Sequence, residues 1–248
     1  LIMHRFQILI EYVGIKFNGW QVQKNGDSIQ DLIQKKLSKI LKEKITVTGS
    51  SRTDSKVHAL EQSAHFDCKK EIEDHKRFIN SANYFLNKDL ISILKIKKRK
   101  ITFHARHSAK MRSYLYVIYN RESPTCLNKD RGWHIKRKLN LNLMKKGVKK
   151  LTGTFNYATF RSSSCGAKSP VRTIKNFTIT RLKETIKIRV KSRSFLQQQV
   201  RSMVGCLKYL GEEKWNIKYF EKIFKSKKRS LCAPPAPACG LFLEKVTY

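Results

Sequence analysis

The sequence predicts an α+β fold arranged as two domains, each a largely antiparallel sheet flanked by helices. Three observations carry this expectation. A chain of 248 residues is long enough for one large domain or two modest ones, each with its own core. Runs such as Arg172 to Arg181 and Thr185 to Lys191 alternate in polarity as neighbouring antiparallel strands do. Both halves also mix such strands with one or two stretches of 3.6-residue apolar periodicity, which places a boundary near residue 107 and domains at 1–106 and 107–248.

In order, Arg5 to Val13 reads as a strand and Gly14 to Gly26 as a polar loop containing Gly19 and Trp20. A helix follows, with Ser28 as its N-cap, Asp31 in its first turn, and a stripe of Ile29, Leu32, Ile33, Leu37, Ile40 and Leu41. Strands at Ile45 to Thr48 and Val57 to Phe66 enclose the polar segment Gly49 to Lys56. A helix bearing Ile72, Phe78, Ile79, Ala82 and Leu86 precedes a strand around Leu90 to Ile96. Met111 to Asn120 is apolar on both pleats, so it belongs inside a sheet covered on both faces. Beyond it lie a helix near Leu141 to Leu151, the two alternating strands, a helix from about Phe195 to Leu210, and a last strand near Leu241 to Val246. The proline-rich run Ala233 to Ala238 predicts an extended loop, since proline removes donors and restricts its neighbours.

The net charge is +35, from 53 Lys and Arg against 18 Asp and Glu, which favours a polyanionic partner through counterion release. A lysine-rich compositional bias would give the same number, so motifs must decide. No stretch approaches the roughly 18 apolar residues of a membrane span, and a cytosolic protein is expected. Six cysteines without a C-x-x-C pair fit neither a zinc knuckle nor a disulfide framework and are expected to be reduced. His104 and His107 lack further ligands nearby in the sequence, so no metal is expected.

The segment Gly49-Ser50-Ser51-Arg52-Thr53-Asp54-Ser55-Lys56-Val57-His58-Ala59 holds one carboxylate between two cations, which favour its ionised form. On its own, Asp54 reads equally as a turn aspartate satisfying local backbone donors. In the helix proposed for 195–210, Arg201 sits beside the stripe of Leu196, Val200, Met203, Val204 and Leu207. Gly205, four residues on, is expected to leave the surface over Arg201 open.

The 49–59 segment resembles the G-R-T-D-x-G-V-H-A signature of TruA-type tRNA pseudouridine synthases, with Asp54 in the place of the catalytic aspartate. The similarity continues through Phe17-Asn18-Gly19-Trp20-Gln21, Phe103-His104-Ala105-Arg106-His107-Ser108-Ala109, Tyr114-Leu115-Tyr116, Phe195 to Gly205, and Pro237-Ala238-Cys239-Gly240-Leu241-Phe242-Leu243. It spans nearly the whole chain in family order.

The resemblance implies a pseudouridine-synthase fold and a cytoplasmic homodimer without cofactor that isomerises uridine at positions 38 to 40 of the tRNA anticodon stem-loop. Breaking the N1–C1′ bond and joining C5 to C1′ calls for a carboxylate that attacks C1′ or takes a proton from C2′, and Asp54 suits either role. The family analogy makes Arg52 the residue that fills the place of the flipped base, where the bare alternative is a surface phosphate contact. It makes Tyr114 the ring that packs on the uracil, although Tyr116 on the same face would be its equal as a strand tyrosine. It makes Arg201 the partner of Asp54 rather than an ordinary surface arginine.

Two positions depart from the pattern, Ser51 and Lys56 standing where glycines are expected. If the second requires positive φ, lysine costs roughly 1 to 2 kcal/mol there. The basic composition instead suggests that the Lys56 ammonium meets RNA phosphate. Two other classes compete with the enzyme: a non-catalytic basic RNA-binding protein whose tyrosines stack bases, and a basic structural part of a ribonucleoprotein.

Overall fold

The computed structural model describes residues 2–23 and 26–248. Leu1, and Lys24 and Asn25 of the expected 14–26 loop, lie outside the described residues. In chain order the elements are β1 (His4–Tyr12), α1 (Ile29–Leu41), β2 (Val47–Gly49), β3 (His58–Cys68), α2 (His75–Leu86), β4 (Ile91–Arg99), β5 (Met111–Asn120), β6 (Trp133–Ile135), α3 (Leu141–Lys150), β7 (Gly153–Asn156), β8 (Val171–Leu182), β9 (Thr185–Ser192), α4 (Gln199–Gly211), α5 (Ile217–Ser226) and β10 (Leu241–Thr247). The chain divides into two compact units. One comprises the chain through Lys110 together with Phe242–Tyr248; the other is Met111–Leu241. The last strand, which linear order alone groups with the second half, thus falls almost wholly in the first unit.

In the first unit the sheet order is β4-β1-β3-β10, with β2 paired to β3. Neighbours are antiparallel except β10, which runs parallel to β3 through Phe242↔His58 and Leu243↔Ala59. Along β1 every second residue, Phe6, Ile8, Ile10 and Tyr12, is buried on one pleat, and Gln7 is buried on the other; each apolar side chain is worth about 1.5–3 kcal/mol when fully removed from water. Register places Phe6 opposite Phe66 of β3, their rings 5.9 Å apart, and Phe66 stacks in turn on Phe78 of α2 at 6.1 Å. Helix α1 starts as expected: the Ser28 hydroxyl accepts from Asp31 N–H, and Ile29, Ile33 and Leu37 recur every four residues on the buried face. Helix α2 begins later than Ile72, because the Asp74 carboxylate caps it by accepting from Arg77 N–H; Ile72 is buried in the approach to the helix. The Asn83 amide then pairs with both the N–H and the carbonyl of Ile93, fastening α2 to β4.

In the second unit the order is β5-β9-β8-β7, all antiparallel, with β6 parallel to β5. The expectation for β5 is met over its centre: Ser113 through Ile118 are all buried, while Met111, Arg112 and Tyr119 are half-buried. Helices α3, α4 and α5 cluster together, and Gly147 of α3 permits the approach, since a methyl there would stand 2.7 Å from Leu210 and 2.8 Å from Leu207 of α4. The helix expected to begin at about Phe195 begins instead at Gln199. Gln198 holds φ +61°, and this left-handed residue cannot continue a helix, so Phe195 and Leu196 extend the apolar pattern from a loop. Helix α5, capped by Asn216, and the short strands β6 and β7 have no counterpart in the sequence reading.

The long connection after β5 is organised by one buried side chain. The Asn120 amide donates to the carbonyls of Ile135 (2.9 Å) and Arg137 (2.8 Å), and its oxygen accepts from Leu139 N–H (3.3 Å). Asn120→Ala leaves these three backbone groups without their partner, and we expect a loss of about 3 kcal/mol in urea unfolding at neutral pH. A loss below about 0.5 kcal/mol would show that water satisfies the groups equally well.

Candidate active site

The segment between β2 and β3 carries Arg52, Asp54 and Lys56, and the first unit fastens it from three directions. From β3, the fully buried Gln62 accepts from the Ser50 hydroxyl and donates to the Ser51 carbonyl, each at 2.8 Å, while Ser50 N–H reaches the Ser63 carbonyl. From the end of β1, the Tyr12 hydroxyl shares a 2.8 Å hydrogen bond with that of Thr53. From the following loop, Trp20 N–H donates to the Thr53 carbonyl (3.1 Å), and the Phe17 carbonyl accepts from Lys56 N–H (3.3 Å) and the Ser55 hydroxyl (3.2 Å).

That loop reaches the segment because it carries glycine at the contacts. A methyl on Gly19 would lie 2.7 Å from the Thr53 carbonyl oxygen and 3.2 Å from the Asp54 carbonyl carbon, and Gly19 itself holds φ +104°. Trp20, placed by the sequence reading in a polar loop, is 1% exposed, its indole lying 2.5 Å from where a methyl on Gly49 would stand.

The carboxylate stands on a tight turn. Val57 N–H donates to the Asp54 carbonyl at 3.2 Å, which puts Ser55 and Lys56 at the two corners, with Lys56 at φ +65°. A second corner with positive φ is where turns of this kind favour glycine, so the lysine sits in a strained position held by the surrounding bonds. Ser51, the other departure from the signature, is buried and supplies its carbonyl to Gln62. Asp54 is half-buried; Arg52 and Lys56 are exposed on either side of it. The structure therefore carries all three on the one segment between β2 and β3.

In the second unit, Tyr114 and Tyr116 share a pleat of β5 but not an environment. Tyr116 is fully buried and donates to the Pro237 carbonyl at 2.8 Å, its ring covering Gly240, where a methyl would lie 2.5 Å from it. Burial pushes its phenol well above the ordinary range. Tyr114 meets Phe195 edge to face at 5.2 Å, near the end of the same pleat. Tyr116 is thus tied into the packing of the second unit.

Arg201 lies in the first turns of α4, half-buried. The space left by Gly205 is not open as expected. The Pro234 carbonyl oxygen fills it, 2.1 Å from where a methyl would sit. From the same proline-rich segment the Ala236 carbonyl accepts from Arg201 Nε (2.7 Å), and Ala236 N–H donates to the Arg201 carbonyl (2.9 Å). The segment has no regular structure from Ala233 to Pro237, Ala238 already opening the short helical turn 238–240, and Ala236 orients the arginine.

The histidines singled out as conceivable ligands have local duties. His104 Nδ1 accepts from the N–H groups of Arg106 (3.2 Å) and His107 (3.3 Å). Buried His65, 4.9 Å away, accepts from Ala105 N–H and is lowered to about 4, chiefly by desolvation. Among the described residues no group of three or more His, Cys, Asp or Glu is placed to hold a metal ion, and no helix is long and apolar enough to cross a membrane.

The family of tRNA pseudouridine synthases matches residues 8–108 and 148–248. The tRNA pseudouridine synthase A of Pelagibacter ubique is 62% identical over 246 residues, covering 99% of this chain and 100% of that protein. The proteins of that name from Methylocella silvestris and Neorickettsia sennetsu are 41% and 40% identical, each matching at least 98% of both chains.

The strain at Lys56 is measurable without any substrate. Lys56→Gly is expected to stabilise the protein by about 1 kcal/mol, because glycine holds φ +65° without the Cβ conflict, less the entropy glycine gains on unfolding. Chemical unfolding of the two proteins side by side decides it, and a destabilised glycine variant would show that the turn is not strained.

Proposed function

Because the chain belongs to the tRNA pseudouridine synthase family, an isomerase family acting on tRNA, we propose that it converts uridine to pseudouridine at positions 38 to 40 of the anticodon stem-loop, with Asp54 as the working carboxylate. The observation that supports this reading best is the Asp54 turn. Its backbone is fixed by hydrogen bonds to Phe17, Trp20 and Val57, and two exposed cations, Arg52 and Lys56, flank it in the chain. A carboxylate so held can meet C1′ or the C2′ proton without reorganising, which is the condition for positioning to accelerate a reaction.

The remaining roles follow from chemistry and from the position of each residue. Exposed Arg52, two residues before Asp54, enters the stack vacated by the flipped base, where a planar guanidinium can both stack and hold phosphate. Tyr114, which meets Phe195 edge to face, packs on the extruded uracil. Arg201, oriented by Ala236, supports the anionic form of the working carboxylate. Lys56 contacts RNA phosphate from its exposed corner. We further propose that the protein works in the cytoplasm as a homodimer and without a cofactor.

The deciding assay is release of tritium from uracil C5 of labelled tRNA. The wild-type protein is expected to release it and Asp54→Asn to lose turnover, while tRNA affinity stays within about a few-fold, since the amide keeps the shape and loses the anion. Binding without release by the wild type is the outcome a non-catalytic RNA-binding protein would give. Retained turnover in Asp54→Asn would remove the central assignment.

Binding itself should weaken linearly in log affinity against log salt, with a slope of several units. In Lys56→Gly that slope is expected to fall by about one. An unchanged slope would mean that the lysine does not meet phosphate.

A further inference from the structure

Helix α4 carries a second chemical group besides Arg201. Cys206 is fully buried on it, and its sulfur lies 3.4 Å from that of Cys232, a half-buried residue directly before the proline-rich segment 233–238. The other thiols described by hydrogen bonds are engaged differently: Cys68 donates to the Lys70 carbonyl and Cys239 to that of Gly132. Arg229, in the short helical turn before Cys232, donates to the Ser202 hydroxyl of α4 at 3.0 Å. The hydrogen bond from Cys206, joined by the charge and a hydrogen bond from Arg229, lowers Cys232 below the usual thiol range. The same sulfur contact, with burial, raises Cys206. One sulfur is thus biased toward the nucleophilic thiolate and its neighbour held as thiol.

We propose that Cys206 and Cys232 form a dithiol site which peroxide converts to an intramolecular disulfide, tying the 233–238 segment covalently to α4. The Cys232 thiolate attacks the peroxide O–O bond, giving Cys232 sulfenic acid and hydroxide. The Cys206 sulfur then attacks the sulfenic sulfur, the S–S bond forms, and the hydroxyl leaves, taking up the Cys206 proton as water. In sum two thiols and one hydrogen peroxide give one disulfide and two waters; the two electrons lost by the sulfurs reduce the peroxide.

The geometry permits closure. The sulfurs must approach from 3.4 Å to about 2.05 Å. Cys232 lies in extended backbone (φ −71°, ψ 141°) at the start of an irregular segment, its N–H closing the short turn 229–231 on the Arg229 carbonyl.

The consequence lies one step further along the chain. Residues 233–238 contact Gly205 through Pro234, hold Arg201 by two hydrogen bonds from Ala236, and accept the Tyr116 hydroxyl at Pro237. A covalent tie at Cys232 fixes the segment that orients Arg201. In a reducing compartment such a bond forms only transiently, under oxidant. The dithiol site does not depend on the proposed isomerase activity; only its effect through Arg201 does.

The test is peptide mapping of the native full-length protein after brief treatment with a few equivalents of hydrogen peroxide and alkylation of remaining thiols. The expected product is a peptide pair linked through Cys206 and Cys232 that separates on treatment with dithiothreitol. In Cys206→Ser, dimedone should trap sulfenic acid on Cys232. If that variant does not fold, the wild-type map decides alone. Cys206 and Cys232 both remaining alkylatable while exposed Cys126 oxidises would overturn the proposal, as would a Cys206–Cys232 link that forms only in denatured protein.

Discussion

The chemistry proposed for this chain depends on a close approach of two stretches of backbone, Gly19 against Thr53 and Asp54. No side chain fits between them: even a methyl would stand 2.7 Å from the Thr53 oxygen. The contact is reinforced on both sides, by Trp20 N–H on the Thr53 carbonyl and by Phe17 receiving Lys56 N–H and the Ser55 hydroxyl. Its partners are largely main-chain groups, so the turn's shape is insensitive to most side-chain changes along it. That accounts for how Ser51 and Lys56 can replace glycines without dissolving the turn. The strain at Lys56, of order 1–2 kcal/mol, is smaller than the sum of the bonds that hold the backbone there.

A similar device recurs in the second unit. There the absent side chain is that of Gly205, and a carbonyl of the proline-rich segment occupies its place. Proline suits that segment because it keeps the chain extended while leaving carbonyls free to accept, and the Ala236 and Pro237 carbonyls do so from Arg201 and Tyr116. In both units a glycine admits foreign backbone, and the foreign backbone fixes a functional or packing side chain. Charge plays a different part. With 53 cations against 18 anions, ion pairs can neutralise only a minority of the lysines and arginines, and exposed pairs such as Lys35 with Asp31 add little stability. The surplus is better accounted for by a polyanionic substrate than by the fold.

Much of this was legible in the residues. The stripe and cap of α1, the doubly buried β5 and the β8–β9 pair follow from periodicity, because each is long enough for its pattern to repeat. Strands β6 and β7, three and four residues long, are too short for that. Helix α5 carried a readable signal in Asn216 followed by Phe220, Ile223 and Phe224, and was passed over in a lysine-rich stretch. The start of α4 was misplaced because Phe195 and Leu196 continue an apolar pattern through a loop, and only the left-handed Gln198 marks the break. The signature around Asp54 located the candidate turn, but Tyr12, Gln62 and buried Trp20, which hold it, come from 30 to 40 residues upstream or from the next strand, and no spacing rule connects them. Gly205 was read as leaving the surface over Arg201 open, but the Pro234 carbonyl that fills that space lies nearly 30 residues away in the chain and leaves no mark on the helix pattern.

The claim that the backbone contact at Gly19 sets the turn on which catalysis depends is tested most directly by single-turnover kinetics of Gly19→Ala on tRNA, with affinity measured in parallel. A methyl there must push Thr53 and Asp54 aside from the position the other bonds impose. The account predicts a single-turnover rate lowered by about a hundredfold or more with tRNA affinity within a few-fold, since a displacement of about 1 Å at a reacting group costs that much while the phosphate contacts are untouched. A folded Gly19→Ala protein that turns over tRNA at the wild-type rate would contradict it.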